Sequence, residues 1–126
     1  MVVYTAAMKK IMLVDDVVIS NFIMKKLISG IAPDIAIFDF TDPAIALSAL
    51  KDISPDAIFL DLNMPNINGW GFLETMKEMD LDFKVIVVSS SQSESDKRQS
   101  MNYKNVVRYF SKPVKKQDVA ELFTVI

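Results

Sequence analysis

Five short, largely apolar runs recur along the chain, and a polar residue closes each one. Residues 11–14 end in Asp15, 35–40 in Thr41, 57–60 in Asp61, 85–88 in Ser89 and 106–110 in Ser111. Runs this short cannot make helices that bury themselves, but they fit strands covered on both faces. Helical spacing fills the gaps. Ile19, Phe22, Ile23 and Leu27 mark a first helix, with Gly30 placed to stop it. Thr41-Asp42-Pro43 supplies a cap and a proline for a second, which runs through Ala46 and Leu50 to about Lys51. A third carries Phe72, Leu73, Met76 and Met79 inward. Residues 92–102 are almost wholly polar, so a fourth helix there has little to bury and is the least stable. Val119, Leu122, Phe123 and Ile126 form the apolar stripe of the last. Strand and helix therefore alternate five times. That order predicts an α/β fold in three layers, a doubly wound five-stranded parallel sheet with helices on both faces.

At 126 residues the chain fits one domain. Residues 1–9 read as a short leader and 10–126 as the folded unit. The stretch after Lys112-Pro113 has room for one helix and no second domain. The absence of cysteine excludes disulfides and thiolate metal sites. The absence of histidine excludes Ser-His-Asp catalysis and imidazole metal cages. A net charge of −2 leaves no basic footprint for nucleic acid. No apolar run approaches the ~18 residues that a membrane helix needs. The expected setting is cytoplasmic, with neither nucleic acid nor membrane as partner.

Open α/β sheets bind ligands beyond the carboxyl ends of their strands. Here those ends carry Asp15-Asp16, Asp61, Ser89 and Lys112. Carboxylates gathered at one edge repel, by about 4 kcal/mol per pair at ~4 Å and an effective dielectric of about 20. Such a group recruits a cation, and an all-oxygen donor set favours a hard divalent ion, Mg²⁺ above all. A metal-bound carboxylate beside an ammonium and a hydroxyl is suited to phosphoryl transfer by positioning and electrostatics. An aspartate can itself be the nucleophile and become an acyl phosphate.

With Asp15-Asp16, the run Asp61-Leu62-Asn63-Met64-Pro65, Asn68-Gly69, Ser89 and Lys112-Pro113 in this order, the chain resembles the receiver domains of two-component response regulators, similar to the chemotaxis member. The resemblance covers roughly residues 10–126 and implies a flavodoxin-like sheet of strand order 2-1-3-4-5. It implies Asp61 as phosphoacceptor. Asp16 and Asp61 would bind Mg²⁺ directly, Asp15 mostly through water, and the Asn63 backbone carbonyl would be a further ligand. Ser89 and Lys112 would hold the phosphoryl group, and Ser89 and Tyr109 would form the switch. The implied partners are a histidine kinase or histidine phosphotransfer protein and a downstream target protein. The chain would be a signalling switch, not an enzyme beyond its own phosphorylation and dephosphorylation. Its output would pass through the segment after the fourth strand and the face of the fourth helix, fifth strand and fifth helix. Departures from the family pattern are Ser89 for the commoner threonine, Ser90 for a small alanine, Ser91 at a position that tunes phosphate lifetime, and Lys115-Lys116 at the start of the last helix.

Plainer readings stand beside these. Asp15-Asp16 can cap the first helix, Asp61 can be a turn residue, and Ser89 can merely end a strand. Lys112 can be a surface lysine, and Tyr109 a half-buried strand tyrosine. Asn68-Gly69 reads as a left-handed turn before the third helix. Competing functions are an aspartate-nucleophile, Mg²⁺-dependent phosphatase, a flavin-binding protein and a receiver-like module that binds without phosphate. The adjacent acids after the first strand differ from the phosphatase's Asp-x-Asp pattern. The same acids would repel a flavin phosphate.

Overall fold

The computed structural model describes residues 8–64, 68–90 and 93–123. The elements run β1 (Lys10–Val14), α1 (Val18–Ile31), β2 (Ala36–Phe40), α2 (Pro43–Ile53), β3 (Ala57–Asp61), α3 (Gly69–Glu78), β4 (Val85–Ser89), α4 (Glu94–Met101), β5 (Val106–Ser111) and α5 (Lys116–Leu122). All strand pairs are parallel, in the order β2-β1-β3-β4-β5 that the resemblance implied. The expected leader falls largely on residues 1–7, outside the described residues, as do Pro65, Ser91 and Ile126.

Pleating sorts the strand residues into two cores. Met12, Val14, Ile58, Leu60, Val85 and Val87 face one way and pack with Leu50, Phe72, Leu73 and Met76 from α2 and α3. Ile11, Leu13, Phe59, Ile86, Val88 and Phe110 face the other way, under Ile28, Val119 and Leu122 from α1 and α5. The β4–β5 register slips once. Val85 opposes Val106, but Ile86 opposes Arg108, so Val107 is an extra residue in β5.

Local chemistry explains most helix starts. The Asp42 carboxylate accepts the Ala44 N–H at 2.9 Å with Pro43 in the first turn, as expected for α2. Asn68 accepts the Gly71 N–H at 2.9 Å and caps α3. In α4 only Ser100 is buried, which agrees with the polar sequence.

Ile19, Phe22 and Ile23 lie on α1, as their spacing predicted, but they do not face the core. They are exposed, together with Val17 and Val18. The buried residues of α1 are Asn21 and Ile28. Asn21 decides the rotation, because its carboxamide donates to the carbonyls of Asp15 and Phe40 at 3.1 Å each and bolts the helix across the ends of β1 and β2. Gly30 does not stop α1, which continues through Ile31. Met79 lies past the end of α3 and is exposed.

The Asn68-Gly69 turn is not left-handed either. Asn68 is extended and no glycine has positive φ. Gly69 is required for space instead. A Cβ there would lie 2.4 Å from the Leu62 Cα and 2.7 Å from the Asp61 carbonyl oxygen. That closeness lets the Gly69 N–H reach the Leu62 carbonyl at 3.0 Å and draws α3 against the end of β3. Gly69→Ala is expected to cost about 2–3 kcal/mol, because backbone rather than a flexible side chain must yield. Urea unfolding measures it; Gly30→Ala, whose Cβ would meet nothing within 4 Å, is the control expected to be neutral or stabilising.

Candidate functional site

The pleat that divides the two cores also builds the site. Asp15, Asp61 and Lys112 each stand two residues beyond a member of the α1–α5 core, namely Leu13, Phe59 and Phe110. Their side chains therefore emerge on one face of the sheet, at the carboxyl ends of three strands. The Lys112 Nζ lies 2.9 Å from Asp15 Oδ2 and 3.5 Å from Asp61 Oδ2. Asp61 is 5% exposed and Asp15 8%. Asp15, Asp16 and Asp61 each bring a carboxylate oxygen within 4.8 Å of the other two.

Each group is held from behind. Asp15 Oδ1 accepts the Val17 N–H at 2.9 Å, so this acid both leads into α1 and pairs with Lys112. The N-cap of α1 is Val17 and no side chain caps it, so the Asp15 bond shapes the turn before the helix rather than capping it. Asp61 Oδ1 accepts the Asn63 N–H at 3.0 Å. The Lys112 N–H donates to the Ser89 carbonyl at 2.8 Å, which fixes the lysine backbone against β4. Ser89 is fully buried and opposes Ser111 in the sheet. Beneath these groups a cavity of about 360 Å³ runs under α1, lined by Ile23, Met24 and Leu27.

Tyr109 is placed differently. It opposes Val87 and packs with the α2–α3 core, on the other face of the sheet from Asp61 and Lys112. The structure therefore gathers Asp15, Asp16, Asp61, Asn63, Ser89 and Lys112 and leaves Tyr109 one pleat away. Sequence reasoning missed the side chain of Asn63. Its carboxamide donates to the hydroxyls of Ser89 at 3.1 Å and Ser90 at 3.2 Å, joining the ends of β3 and β4. No spacing rule marks such a residue, because its partners lie on a different strand.

Burial pushes the Asp61 carboxyl above the ordinary carboxylate value. The Asn63 N–H and the Lys112 ammonium oppose that rise, and the Asp15 charge adds to it. For Lys112, burial alone would lower the pKa. Its hydrogen bond to Asp15 and the charges of Asp61 and Asp15 outweigh that, and hold the ammonium above the usual lysine value. The site is thus a buried anion cluster with one fixed cation. Three carboxylates of this kind suit a hard divalent ion.

A sequence model of the response regulator receiver domain matches residues 11–124. The chain belongs to that family. Receiver domains are signalling switches of two-component systems. Curated relatives include a protein-glutamate methylesterase/protein-glutamine glutaminase of Treponema pallidum, 38% identical over 85 residues, which are 67% of this chain and 21% of that protein. The nitrate/nitrite response regulator NarL of Escherichia coli is 36% identical over 87 residues, 68% of this chain and 40% of that protein. The chain thus spans well under two thirds of the length of these relatives. Among solved structures, a two-component response regulator from Cytophaga hutchinsonii superposes with a TM-score of 0.81 at 27% identity, covering 91% of this chain and 93% of that one. A chemotaxis protein from Vibrio cholerae gives 0.77 at 18% identity over 89% of this chain and 92% of that one, and shows the shared flavodoxin-like fold. No described helix is long and apolar enough to cross a membrane.

The pKa directions fix the signs of two substitutions. The folded receiver holds the Asp61 proton more tightly than the unfolded chain does. Ionised Asp61 therefore costs stability at neutral pH, and the cost disappears as pH falls below the ordinary carboxylate value. With chelator present, Asp61→Asn is expected to gain about 1–2 kcal/mol at pH 7, and the gain to vanish at acid pH. Lys112→Met leaves two acids facing each other. It should lose about 2 kcal/mol, a figure discounted for the partial exposure of the lysine, and adding Asp61→Asn should recover much of it. Thermal and urea unfolding across pH measure both.

Proposed function

We propose that this receiver accepts a phosphoryl group on Asp61, in a Mg²⁺-dependent reaction, from a phosphohistidine of a kinase or phosphotransfer protein. The observation that carries the reading is the pairing of buried Asp61 with Lys112 at 3.5 Å inside a cluster of three carboxylates. These 126 residues hold no histidine, so the donor lies outside them. An Asp61 carboxylate oxygen attacks phosphorus, the phosphorus–nitrogen bond breaks, and the departing imidazole keeps the electron pair.

The residues fit Mg²⁺. Asp16 and Asp61 would hold it directly with the Asn63 carbonyl, and Asp15, already engaged by Lys112 and the Val17 N–H, would act through water. Bound there, the ion supplies charge neutralisation for the transferring oxygens. Lys112 meets another of those oxygens with its ammonium, and Ser89 a further one with its hydroxyl. Burial of Asp61 and Ser89 keeps these interactions strong by limiting solvent screening. The output proposed is a change at the start of the β4–α4 connection and on the α4–β5–α5 face, read by a downstream target protein. The sparse burial of α4 supports that choice, because an element with little packing is easily shifted.

Incubation with Mg²⁺ and phosphoramidate, followed by intact-protein mass spectrometry, tests the reading. Wild type is expected to gain one phosphoryl group, and Asp61→Asn none. Lys112→Ala is expected to slow the gain by about 10²-fold, the scale for removing a donor aimed at developing charge. Equal labelling of wild type and Asp61→Asn would refute the assignment. Steady turnover of a phosphomonoester would favour the phosphatase reading.

A further inference from the structure

The Asn63 carboxamide has two N–H groups, and both are engaged. One meets the buried Ser89 hydroxyl and the other the exposed Ser90 hydroxyl. The same residue gives its backbone N–H to Asp61 Oδ1 at 3.0 Å. Its side chain therefore stands beside the carboxylate on which the proposed phosphoryl group forms, with its donors turned to neutral acceptors.

A phosphoryl group on Asp61 changes that balance. Its oxygens are anionic, and a hydrogen bond to an anion is roughly twice as strong as one between neutral groups. An amide N–H within reach should then leave a hydroxyl for a phosphoryl oxygen. Ser90 is the partner that can be released at least cost. It is exposed, so water replaces the lost bond, whereas Ser89 is fully buried, where no water can take the place of the Asn63 N–H.

We propose that the Asn63 carboxamide is a reserve donor for the phosphoryl group on Asp61, held in the resting protein by Ser90 and handed over when the group arrives. Asn63 is then a ligand of the phosphoryl group through its side chain, and Ser90 is a positioning residue that acts only through Asn63. Ser90 opposes phosphorylation by competing for that one N–H. The inference rests on Asp61 as phosphoacceptor and adds the handover to it.

The two ends of this hydrogen bond should respond with opposite signs. A merely structural bond gives the same sign from either end. The test is titration of the wild type with beryllofluoride, a phosphoryl mimic, at fixed Mg²⁺, read by the fluorescence of Trp70, the only tryptophan in the chain and the second residue of α3. Asn63→Ala keeps the backbone N–H and carbonyl. It is expected to weaken binding about tenfold, the scale of one hydrogen bond to a charged group. Ser90→Ala is expected to tighten binding about threefold, and Ser90→Thr, which restores the hydroxyl, to return it to the wild-type value. In an Asn63→Ala background Ser90→Ala should have no effect.

Weaker or unchanged binding in Ser90→Ala overturns the handover, as does tightening that persists without the carboxamide. If wild type does not bind the mimic, or Asp61→Asn binds it equally well, the phosphoacceptor reading fails and the handover falls with it. Circular dichroism melts of each variant separate loss of fold from loss of binding.

Discussion

The ammonium of Lys112 is the group on which the arrangement at the sheet edge depends. Asp15 and Asp61 come from neighbouring parallel strands and are nearly buried, so each bears the cost of leaving water and of facing the other. The lysine offsets both costs because its backbone is anchored to the Ser89 carbonyl and its stem lies above the α1–α5 core. A cation held in this way is a fixed part of the fold rather than a mobile counter-ion. The balance is deliberately incomplete in its physics: three acids face one lysine, and Asp61 remains harder to ionise than a free carboxylate. Such an edge favours a second positive charge, and under the proposed function that would link the stability of the domain to its readiness for phosphoryl chemistry.

Much of this was legible in the sequence. The βα alternation followed from apolar runs too short for helices, and the strand ends then named Asp15, Asp16, Asp61, Ser89 and Lys112. Parity within each strand, from Leu13 to Asp15 and from Phe59 to Asp61, is a property of consecutive residues and can be read before any coordinates. What could not be read depends on contacts between distant parts of the chain. The face of α1 is set by Asn21, a polar residue whose two acceptors lie at the ends of β1 and β2, while the spacing of the exposed Phe22 and Ile23 marked the helix but not its buried side. Gly69 looked like a conformational glycine and is instead a glycine of close approach, because the obstacle is the backbone of Leu62. The Asn63 carboxamide was invisible for the same reason as Asn21: its role is defined by Ser89 and Ser90, more than twenty residues away.

Stability is unevenly spread across the molecule in a way that suits a switch. The central strands β1, β3 and β4 are buried on both faces and lie between two apolar cores. α4 buries one serine and relies on Ser93, which accepts the Asp96 N–H at 3.3 Å, and on Glu94 and Asp96 in its first turn. Rigid strands hold the charged edge in register, while α4 has little packing to hold it. The proposed output would draw on that contrast, since a sparsely packed helix can shift without disturbing the core.

The extra residue Val107 has a consequence for how this family of sequences can vary. It sits early in β5, before Tyr109 and Lys112, and makes Val107 and Arg108 share a side of the strand. Without Val107, Arg108 would follow Val106 directly and still oppose Ile86, so Tyr109 and Lys112 would keep the faces they now occupy. Losing a second residue would turn every later side chain of β5 over and point Lys112 away from the acids. The strand thus carries one residue of spare length between Val106 and Lys112, and an in-frame deletion of one residue at the slip should be tolerated far better than a deletion of two.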